Sequence, residues 1–311
     1  MKRYLPIVFS FMLILGIGYF VFTQKQGLPQ KIVKKSDEFN IGTFSKQSTC
    51  ARPPQFLQQI NIPQPVVIDL SQKVYKGIAF HYGEKFSKVL HPKIWEQYEY
   101  YSTYTVDEKG NIFLIPTPFI SITPTTFNLQ KNIYQLDTKT GKISIFIHFD
   151  DVIPSAQNPY GLNAVTYDCE NKSLWVAAID KSNYQAEKGR IYHINIKDKE
   201  VQSQIDNVDV LSMNIIKTSK GKFLLMGSAR DNALYAYHLS DVNKKYKRIK
   251  ILELPLANER IRKINIKSNN LLELQSLPFS YSLIAQSSKK ERTFYTAKWN
   301  KVKNRWVVHK K

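Results

Sequence analysis

Residues 162–178 read LNAVTYDCENKSLWVAA, and residues 189–205 read GRIYHINIKDKEVQSQI. Each stretch contains two short runs that are rich in β-branched and aromatic residues, with a polar turn between them. Such runs are typical of β-strands joined by tight turns. The two stretches together predict one four-stranded sheet.

The same pattern occurs in the neighbouring parts of the chain. Strand-like runs separated by turns recur over residues 101–147 and 211–252, and Tyr134, Tyr192 and Tyr235 occupy the same place in the three blocks. Four-strand units at spacings of about 40–60 residues are the mark of a β-propeller, in which sheets stack face to face around an axis.

The predicted fold class is therefore all-β, with a β-propeller domain over residues 64–311. Six blades are favoured and five are the alternative, since two further strand-like runs follow at 292–298 and 304–308. Ring closure is expected to pair strands near 66–70 and 74–81 with those last strands. An irregular pair of β-sandwiches is the competing architecture.

Short motifs within this region resemble the blade signature of the SMP-30/gluconolactonase and NHL-like six-bladed propellers. They are NPYGLN at 158–163, YD at 167–168, LWVA at 174–177 and GRIY at 189–192. The resemblance implies a divalent metal ion in the central channel, bound by a Glu from an early blade, the Asn of an Asn-Gly-Leu turn and the Asp of an Asp-Gly turn. It also implies a further acid that acts as the general base of a lactonase.

Matched residue by residue, this sequence departs from the metal-binding pattern. Gly161 aligns with the Gly of the Asn-Gly-Leu turn, so Tyr160 occupies the position of the metal-binding Asn. Tyrosine is a poor ligand for a hard divalent cation. We therefore predict no metal and no other cofactor. The alternative is a rearranged site for a divalent cation such as Ca2+, with ligands drawn from Glu96, Glu99, Asn158, Asn163 and Asp209.

The starts of the inner strands and one loop supply the candidate ligand-binding residues. Ser102, Tyr160 and Ser212 lie at corresponding starts in three blocks, and the loop that contains Arg230 and Asp231 adds either a ligand-binding pair or an ion pair within a turn. The residues expected to line the channel are Ser102, Asn158, Tyr160, Asn163, Ser212, Arg230 and Asp231. No catalytic residue is assigned, because the sequence contains no nucleophile elbow, phosphate-binding loop or His-Glu-x-x-His motif.

The N-terminus predicts a membrane anchor. Residues 1–3 are a short positive start, and residues 4–22 (YLPIVFSFMLILGIGYFVF) contain no charge. A helix over this stretch is roughly 28 Å long, close to the hydrocarbon thickness of a bilayer. We expect a single-pass transmembrane signal anchor in the cytoplasmic membrane, with the propeller on the extracytoplasmic (periplasmic) side. Secretion after cleavage near residues 16–18 is the alternative. Residues 23–63 are expected to form a tether.

Basic residues are concentrated near the C-terminus. The chain has 45 Lys and Arg against 25 Asp and Glu, a formal net charge of +20, and residues 243–311 hold 18 of these basic residues against 4 acidic ones. This predicts a basic face that binds anionic lipid headgroups or an acidic polymer of the cell envelope, with a merely solvated face as the alternative. No nucleic-acid partner is predicted, because no recognition motif is visible.

Composition and cysteine content limit the class of protein to which the chain can belong. With 43% hydrophobic and 23% charged residues, the chain is neither a disordered tail nor a multi-span membrane protein. Cys50 and Cys169 either form one disulfide in an oxidising compartment or remain two isolated buried thiols. Two classes of function stay open. One is a non-catalytic propeller that binds a ligand or partner, and the other is a divalent-metal-dependent hydrolase of the lactonase type.

Overall fold

The computed structural model of the protein describes residues 38–45, 50–70, 74–98, 100–118, 124–239, 246–282 and 291–311. These residues form an all-β structure of five sheets, a five-bladed β-propeller. No helix within these ranges is long and apolar enough to cross a bilayer. The predicted anchor, residues 4–22, lies outside the described residues.

Each sheet is antiparallel and its strands follow one another in chain order. Sheet 1 contains β1 (Val67–Asp69), β2 (Ala79–Tyr82) and β3 (Lys88–Leu90). Sheet 2 contains β4 (Tyr101–Val106), β5 (Ile112–Pro116), β6 (Asn132–Leu136) and β7 (Ile143–His148). Sheet 3 contains β8 (Leu162–Asp168), β9 (Ser173–Ala178), β10 (Arg190–Asn195) and β11 (Glu200–Asp206).

Sheet 4 contains β12 (Val210–Thr218), β13 (Gly221–Ser228), β14 (Ala233–His238) and β15 (Ile249–Glu253). Sheet 5 contains β16 (Glu259–Ile266), β17 (Leu271–Pro278), β18 (Thr293–Asn300) and β19 (Arg305–Lys310). The described helices are short: α1 spans Gln55–Gln59, and 3-10 helices span Glu84–Phe86, Lys93–Tyr98 and Pro124–Lys131.

The two end sheets explain why the described residues form five blades rather than the favoured six. Gly83 adopts φ +77° directly after β2, and the chain then turns back to form β3. Strands β1 and β2 pair with each other and with β3 in a three-stranded sheet. They do not pair with the C-terminal strands, so the predicted ring closure is wrong. The C-terminal strands instead complete sheet 5 together with β16 and β17, which were not recognised in the sequence.

Apolar layers between consecutive sheets hold the propeller together. Four such layers occur among the described residues, one at each junction from sheets 1 and 2 to sheets 4 and 5. Adjacent residues of one strand serve different layers: Phe113 packs toward sheet 3, whereas Leu114 packs toward sheet 1. Because side chains alternate between the faces of a sheet, a strand between two layers is apolar on both sides. This accounts for β5 and β9, which are buried at every position.

Sheet 5 has a different pattern and one partly exposed face. Along β17 (LLELQSLP) buried residues alternate with partly exposed ones. The buried residues Leu272 and Leu274 join the layer shared with sheet 4. Leu271, Glu273 and Gln275 lie on the opposite face, which remains open to solvent among the described residues.

Two segments of the region predicted as a tether, 23–63, pack on the propeller. Ile41 and Phe44, which are 0% and 6% exposed, lie in the apolar layer between sheets 4 and 5. Helix α1 places Phe56 and Leu57 in the layer between sheets 1 and 2. These apolar side chains stand singly or in pairs among polar residues, so they show no periodicity in the sequence.

A disulfide joins Cys50 to Cys169. Cys169 lies in the turn between β8 and β9, and Cys50 precedes α1. The bond therefore fixes the N-terminal part of the described chain to sheet 3.

Replacing both cysteines by serine is expected to lower the free energy of unfolding by up to about 4–5 kcal/mol, because the bond closes a loop with a sequence separation of 119 residues. Urea unfolding of the C50S/C169S variant measures the change, and the wild-type protein in reductant is the control. Equal urea midpoints for the oxidised wild type and the variant would contradict the structural role of this bond.

Candidate functional site

The first strands of sheets 3, 4 and 5 lie side by side around the propeller axis. The Asn163 side-chain amide on β8 donates to the Val210 carbonyl of β12. The Ser212 hydroxyl on β12 donates to the Ile261 carbonyl of β16 at 2.8 Å. We call the end of the axis at which β8, β12 and β16 begin the channel mouth.

A β-bulge recurs near the start of the first strand in all four four-stranded sheets. At each bulge one residue of the first strand has no partner on the second strand, so its side chain leaves the alternation that fills the layers between sheets. The four unpaired residues are Ser102, Asn163, Leu211 and Arg262. The repeat therefore places four different side chains at equivalent positions beside the axis.

A cluster of arginines and aromatic rings forms at the channel mouth. We call it the Arg–aromatic cluster, and its members are Tyr160, Tyr184, Arg230, Arg262, Phe279 and Tyr281. The Phe279 ring centroid lies 5.2 Å from that of Tyr160 and 5.0 Å from that of Tyr281. The guanidinium carbon of Arg262 lies 5.8 Å from the Phe279 centroid, and that of Arg230 lies 5.6 Å from the Tyr281 centroid. Such separations are those of favourable aromatic and cation–π contacts.

A buried carboxylate positions one side of this cluster. Asp209, which is 1% exposed, accepts hydrogen bonds from the Ser182 hydroxyl, the Gly189 N–H at 2.9 Å and the Tyr281 hydroxyl at 2.5 Å. The Arg230 guanidinium lies 3.7 Å from its second oxygen. Burial raises the pKa of Asp209, although the hydrogen bonds from Ser182 and Tyr281 oppose that shift. Asp209 therefore organises the mouth, and each of its two oxygens already accepts a hydrogen bond from the protein.

Arg262 has a different environment from Arg230. It is surrounded by protein yet retains solvent-accessible surface, as expected of a side chain that lines a channel. Burial lowers the pKa of its guanidinium, and the adjacent Tyr160 hydroxyl opposes the shift. Burial also raises the pKa of Tyr160. Arg260, on the same strand, donates to the carbonyls of four residues, namely Ala229, Arg230, Ala257 and Glu259.

The other residues predicted to line the channel hold the local structure. Ser102 donates to the carbonyls of its own sheet, at 3.3 Å and 3.2 Å. The Asn158 amide donates to the carbonyls of Ile179 at 2.5 Å and Ser182 at 2.8 Å, and its oxygen accepts from the Tyr160 N–H. The Asp231 carboxylate accepts from the Tyr235 hydroxyl at 2.6 Å. Of the predicted set, Tyr160 and Arg230 are members of the Arg–aromatic cluster.

Of the residues of the alternative metal site that the structure describes, Glu96 lies apart from Asn158, Asn163 and Asp209. Glu96 lies in the Lys93–Tyr98 helix beside sheet 1, 3.3 Å from His91, whereas Asn158 and Asp209 are engaged at the channel mouth. Glu99 lies outside the described residues. Within the described ranges no group of three or more His, Cys, Asp or Glu side chains could hold a metal ion. The donors do not fit the metal site that the resemblance implied.

An apolar groove of about 480 Å³ lies elsewhere, between α1 and the Lys93–Tyr98 helix. Its lining is mainly apolar and includes Phe56, Leu90 and Ile94. Binding sites for small molecules combine apolar walls with a few convergent polar groups that fix the ligand's orientation. The groove lining also includes Gln97, Thr140 and Lys142, but at the channel mouth two guanidinium groups converge with aromatic rings, so we regard the mouth as the candidate site.

Sequence reasoning missed Arg262, Phe279, Tyr281 and Tyr184. The first three lie in or just after β16 and β17, which were not recognised as strands because residues 259–278 mix charged and apolar side chains. The alternation of ERIRKINI over 259–266 was the available signal. Aligned with the other first strands, it would have placed Arg262 at the position of Ser102.

Comparison with known proteins finds no relative by sequence: no protein family and no curated protein matches the chain. Solved structures of similar architecture include the hydrazine synthase of Kuenenia stuttgartiensis, 9% identical with a TM-score of 0.47 over 88% of this chain and 69% of that chain. A luciferin-regenerating enzyme is 11% identical with a TM-score of 0.45, over 76% of this chain and 78% of its own. A glucose dehydrogenase is 13% identical with a TM-score of 0.41, over 75% and 80%. These values transfer no activity to this chain.

Replacing Tyr281 by phenylalanine is expected to lower the free energy of unfolding by about 1.5–3 kcal/mol, because the buried Asp209 carboxylate loses a charge-assisted hydrogen bond. Tyr184→Phe is the matched control. Tyr184 is 60% exposed and its hydroxyl hydrogen-bonds to the Ser280 hydroxyl, so a change below about 0.5 kcal/mol is expected. Denaturant unfolding measures both, and equal effects would contradict the assigned role of Asp209.

Proposed function

We propose that this protein is a β-propeller that binds a small ligand or a partner at its channel mouth and does not catalyse a reaction. The Arg–aromatic cluster carries the proposal. Arg262 and Phe279 retain solvent-accessible surface there, whereas the Asp209 carboxylate is buried and accepts three hydrogen bonds from the protein. A general base must come within hydrogen-bond distance of its substrate, and the Asp209 carboxylate is 1% exposed. The exposed chemistry at the mouth therefore favours recognition.

We further propose that residues 4–22 anchor the protein in the cytoplasmic membrane and that the propeller faces the periplasm. The disulfide between Cys50 and Cys169 supports an extracytoplasmic location, because disulfides persist in oxidising compartments. Secretion after cleavage near residues 16–18 is the alternative and leads to the same compartment.

Anionic lipid headgroups or an acidic envelope polymer are the proposed partners of the basic region, residues 243–311. Sheet 5 belongs to this region and carries the exposed side chains of Lys263, Lys298 and Lys310. Clustered exposed lysines attract polyanions, and salt weakens the attraction.

A divalent-metal-dependent hydrolase of the SMP-30/gluconolactonase type is the second candidate. One observation favours it: within the described part of the chain, the side-chain oxygen of Asn163 is buried and has no hydrogen-bond partner. Buried polar atoms normally have a partner, so an unsatisfied oxygen is a possible ligand atom. The engagement of Asp209 and the remote position of Glu96 count against this candidate.

Thermal melts separate the two candidates. The full-length protein in detergent is first treated with chelator and then given calcium, magnesium, manganese or zinc at millimolar concentration. An ion that binds the native state must raise the melting midpoint by mass action. Because the proposed function requires no metal ion, we expect no shift with any of the four ions. A rise with one ion that is lost in Asn163→Ala would contradict the non-catalytic proposal and favour the hydrolase.

Fractionation of a Gram-negative host that expresses the full chain tests the proposed location. We expect the protein to stay in the membrane pellet after an alkaline wash and to be digested by protease added to spheroplasts. A soluble periplasmic product that begins after residue 18 would favour secretion. Protection from the protease would contradict both forms of the proposal.

A further inference from the structure

Among the described residues Arg262 has no carboxylate partner, in contrast to the buried Arg190. Arg190 donates to the carboxylates of Asp151 and Asp180, at 2.7 Å in each case. Among the described residues no carboxylate pairs with Arg262, and Tyr160 is its polar neighbour. A charge that is removed from bulk water and left unpaired is costly, so a bound anion at this position would be stabilised.

The backbone directs this guanidinium to the channel mouth. Arg262 is the bulge residue of β16, equivalent to Ser102, Asn163 and Leu211 in the other sheets. Its planar fork of N–H donors matches the two oxygens of a carboxylate, which accept two parallel hydrogen bonds. The side chain thus offers one bidentate site beside the axis.

Ring surfaces lie next to that site. Phe279 is partly buried under the Arg262 guanidinium, with Tyr160 and Tyr281 on its other sides. Tyr184, 60% exposed, stands at the rim with its ring 5.5 Å from that of Tyr281. A ligand ring placed here would add to a set of tilted and edge-to-face ring contacts, a geometry that aromatic pairs favour.

The charges around the mouth favour a monoanion. Arg230 is balanced by Asp209, and the N–H groups of Arg260 are directed to backbone carbonyls. Of these three arginines, Arg262 is therefore the one whose guanidinium can donate hydrogen bonds to a ligand anion. One carboxylate matches that charge and geometry, whereas a phosphate dianion would require a second available cation.

We propose that the channel mouth binds a small aromatic carboxylate, with its carboxylate on Arg262 and its ring against Phe279. This inference deepens the proposed ligand-binding function and rests on it. It concerns the chemical class of the ligand and the residues that select it.

Ligand-observed NMR titration of the full-length protein in detergent tests the inference. The probe is 4-hydroxybenzoate, the neutral isostere is 4-hydroxybenzamide, and inorganic phosphate is the oxyanion without a ring; detergent alone is titrated as the blank. We expect 4-hydroxybenzoate to bind at least about tenfold more tightly than the other two, because only it offers both a carboxylate and a ring.

Variants assign the binding to the mouth. Arg262→Met keeps an unbranched apolar side chain and removes the guanidinium and its charge, so an affinity loss of about tenfold or more is expected. Arg262→Lys should lie between it and the wild type. Arg305→Met is the matched control, since Arg305 is an exposed residue of the same sheet at the opposite end of the axis. The melting midpoint of each variant without ligand confirms that it is folded.

Each other outcome overturns the inference in a recognisable way. Equal loss in Arg262→Met and Arg305→Met, or no loss in either, would place the carboxylate elsewhere. If 4-hydroxybenzamide bound as tightly as 4-hydroxybenzoate, the site would not recognise the charge of the carboxylate. That result would contradict this inference but not the proposed ligand-binding function. Absence of binding by all three probes would overturn this inference. An ion-dependent rise of the melting midpoint in addition would overturn the proposed function as well.

Discussion

Burial of both faces of the central sheets is the constraint on which this structure depends. Strands β5 and β9 are buried at every position, so sheets 2 and 3 are stable only when another sheet covers each side. Face-to-face stacking around an axis satisfies that requirement with short chain connections. The first strands then approach closely. A Cβ on Gly227 would lie 2.3 Å from the Ile261 carbonyl oxygen, so only glycine fits at that contact.

The same packing determines which side chains can contact a ligand. Residues in the layers between sheets are fixed by their neighbours, whereas a bulge residue has no partner on the second strand and faces the axis. None of the four bulge residues, Ser102, Asn163, Leu211 and Arg262, belongs to an apolar layer between sheets. In this chain the four positions hold a hydroxyl, an amide, an apolar side chain and a guanidinium. The asymmetry of the channel mouth follows from these four residues.

The sequence predicted the class of fold well because the signal was local. The blocks around Tyr134, Tyr192 and Tyr235 each form a four-stranded sheet, as their alternation and turns indicated. The number of blades was harder to predict, because it depends on which distant strands pair. In β16 and β17 one face is partly exposed and polar, so these strands lacked the apolar runs of β5 and β9.

The candidate site was predicted only in part, for a related reason. Tyr160 and Arg230 were named from loop motifs, but Phe279, whose ring contacts that of Tyr160, lies 119 residues later in the chain than Tyr160. Gly161 was read as part of a ligand motif. In the structure a Cβ there would lie 2.3 Å from the Gln130 carbonyl oxygen, so close backbone packing explains this glycine. Contacts of this kind depend on the assembled sheets and leave no local signal.

A crystal structure of the protein with 4-hydroxybenzoate would test the central claim most directly. The account predicts carboxylate oxygens about 2.7–2.9 Å from the guanidinium nitrogens of Arg262, with the ligand ring packed on Phe279. A ligand bound away from the channel mouth, or an Arg262 guanidinium already paired with a carboxylate of the protein itself, would contradict it.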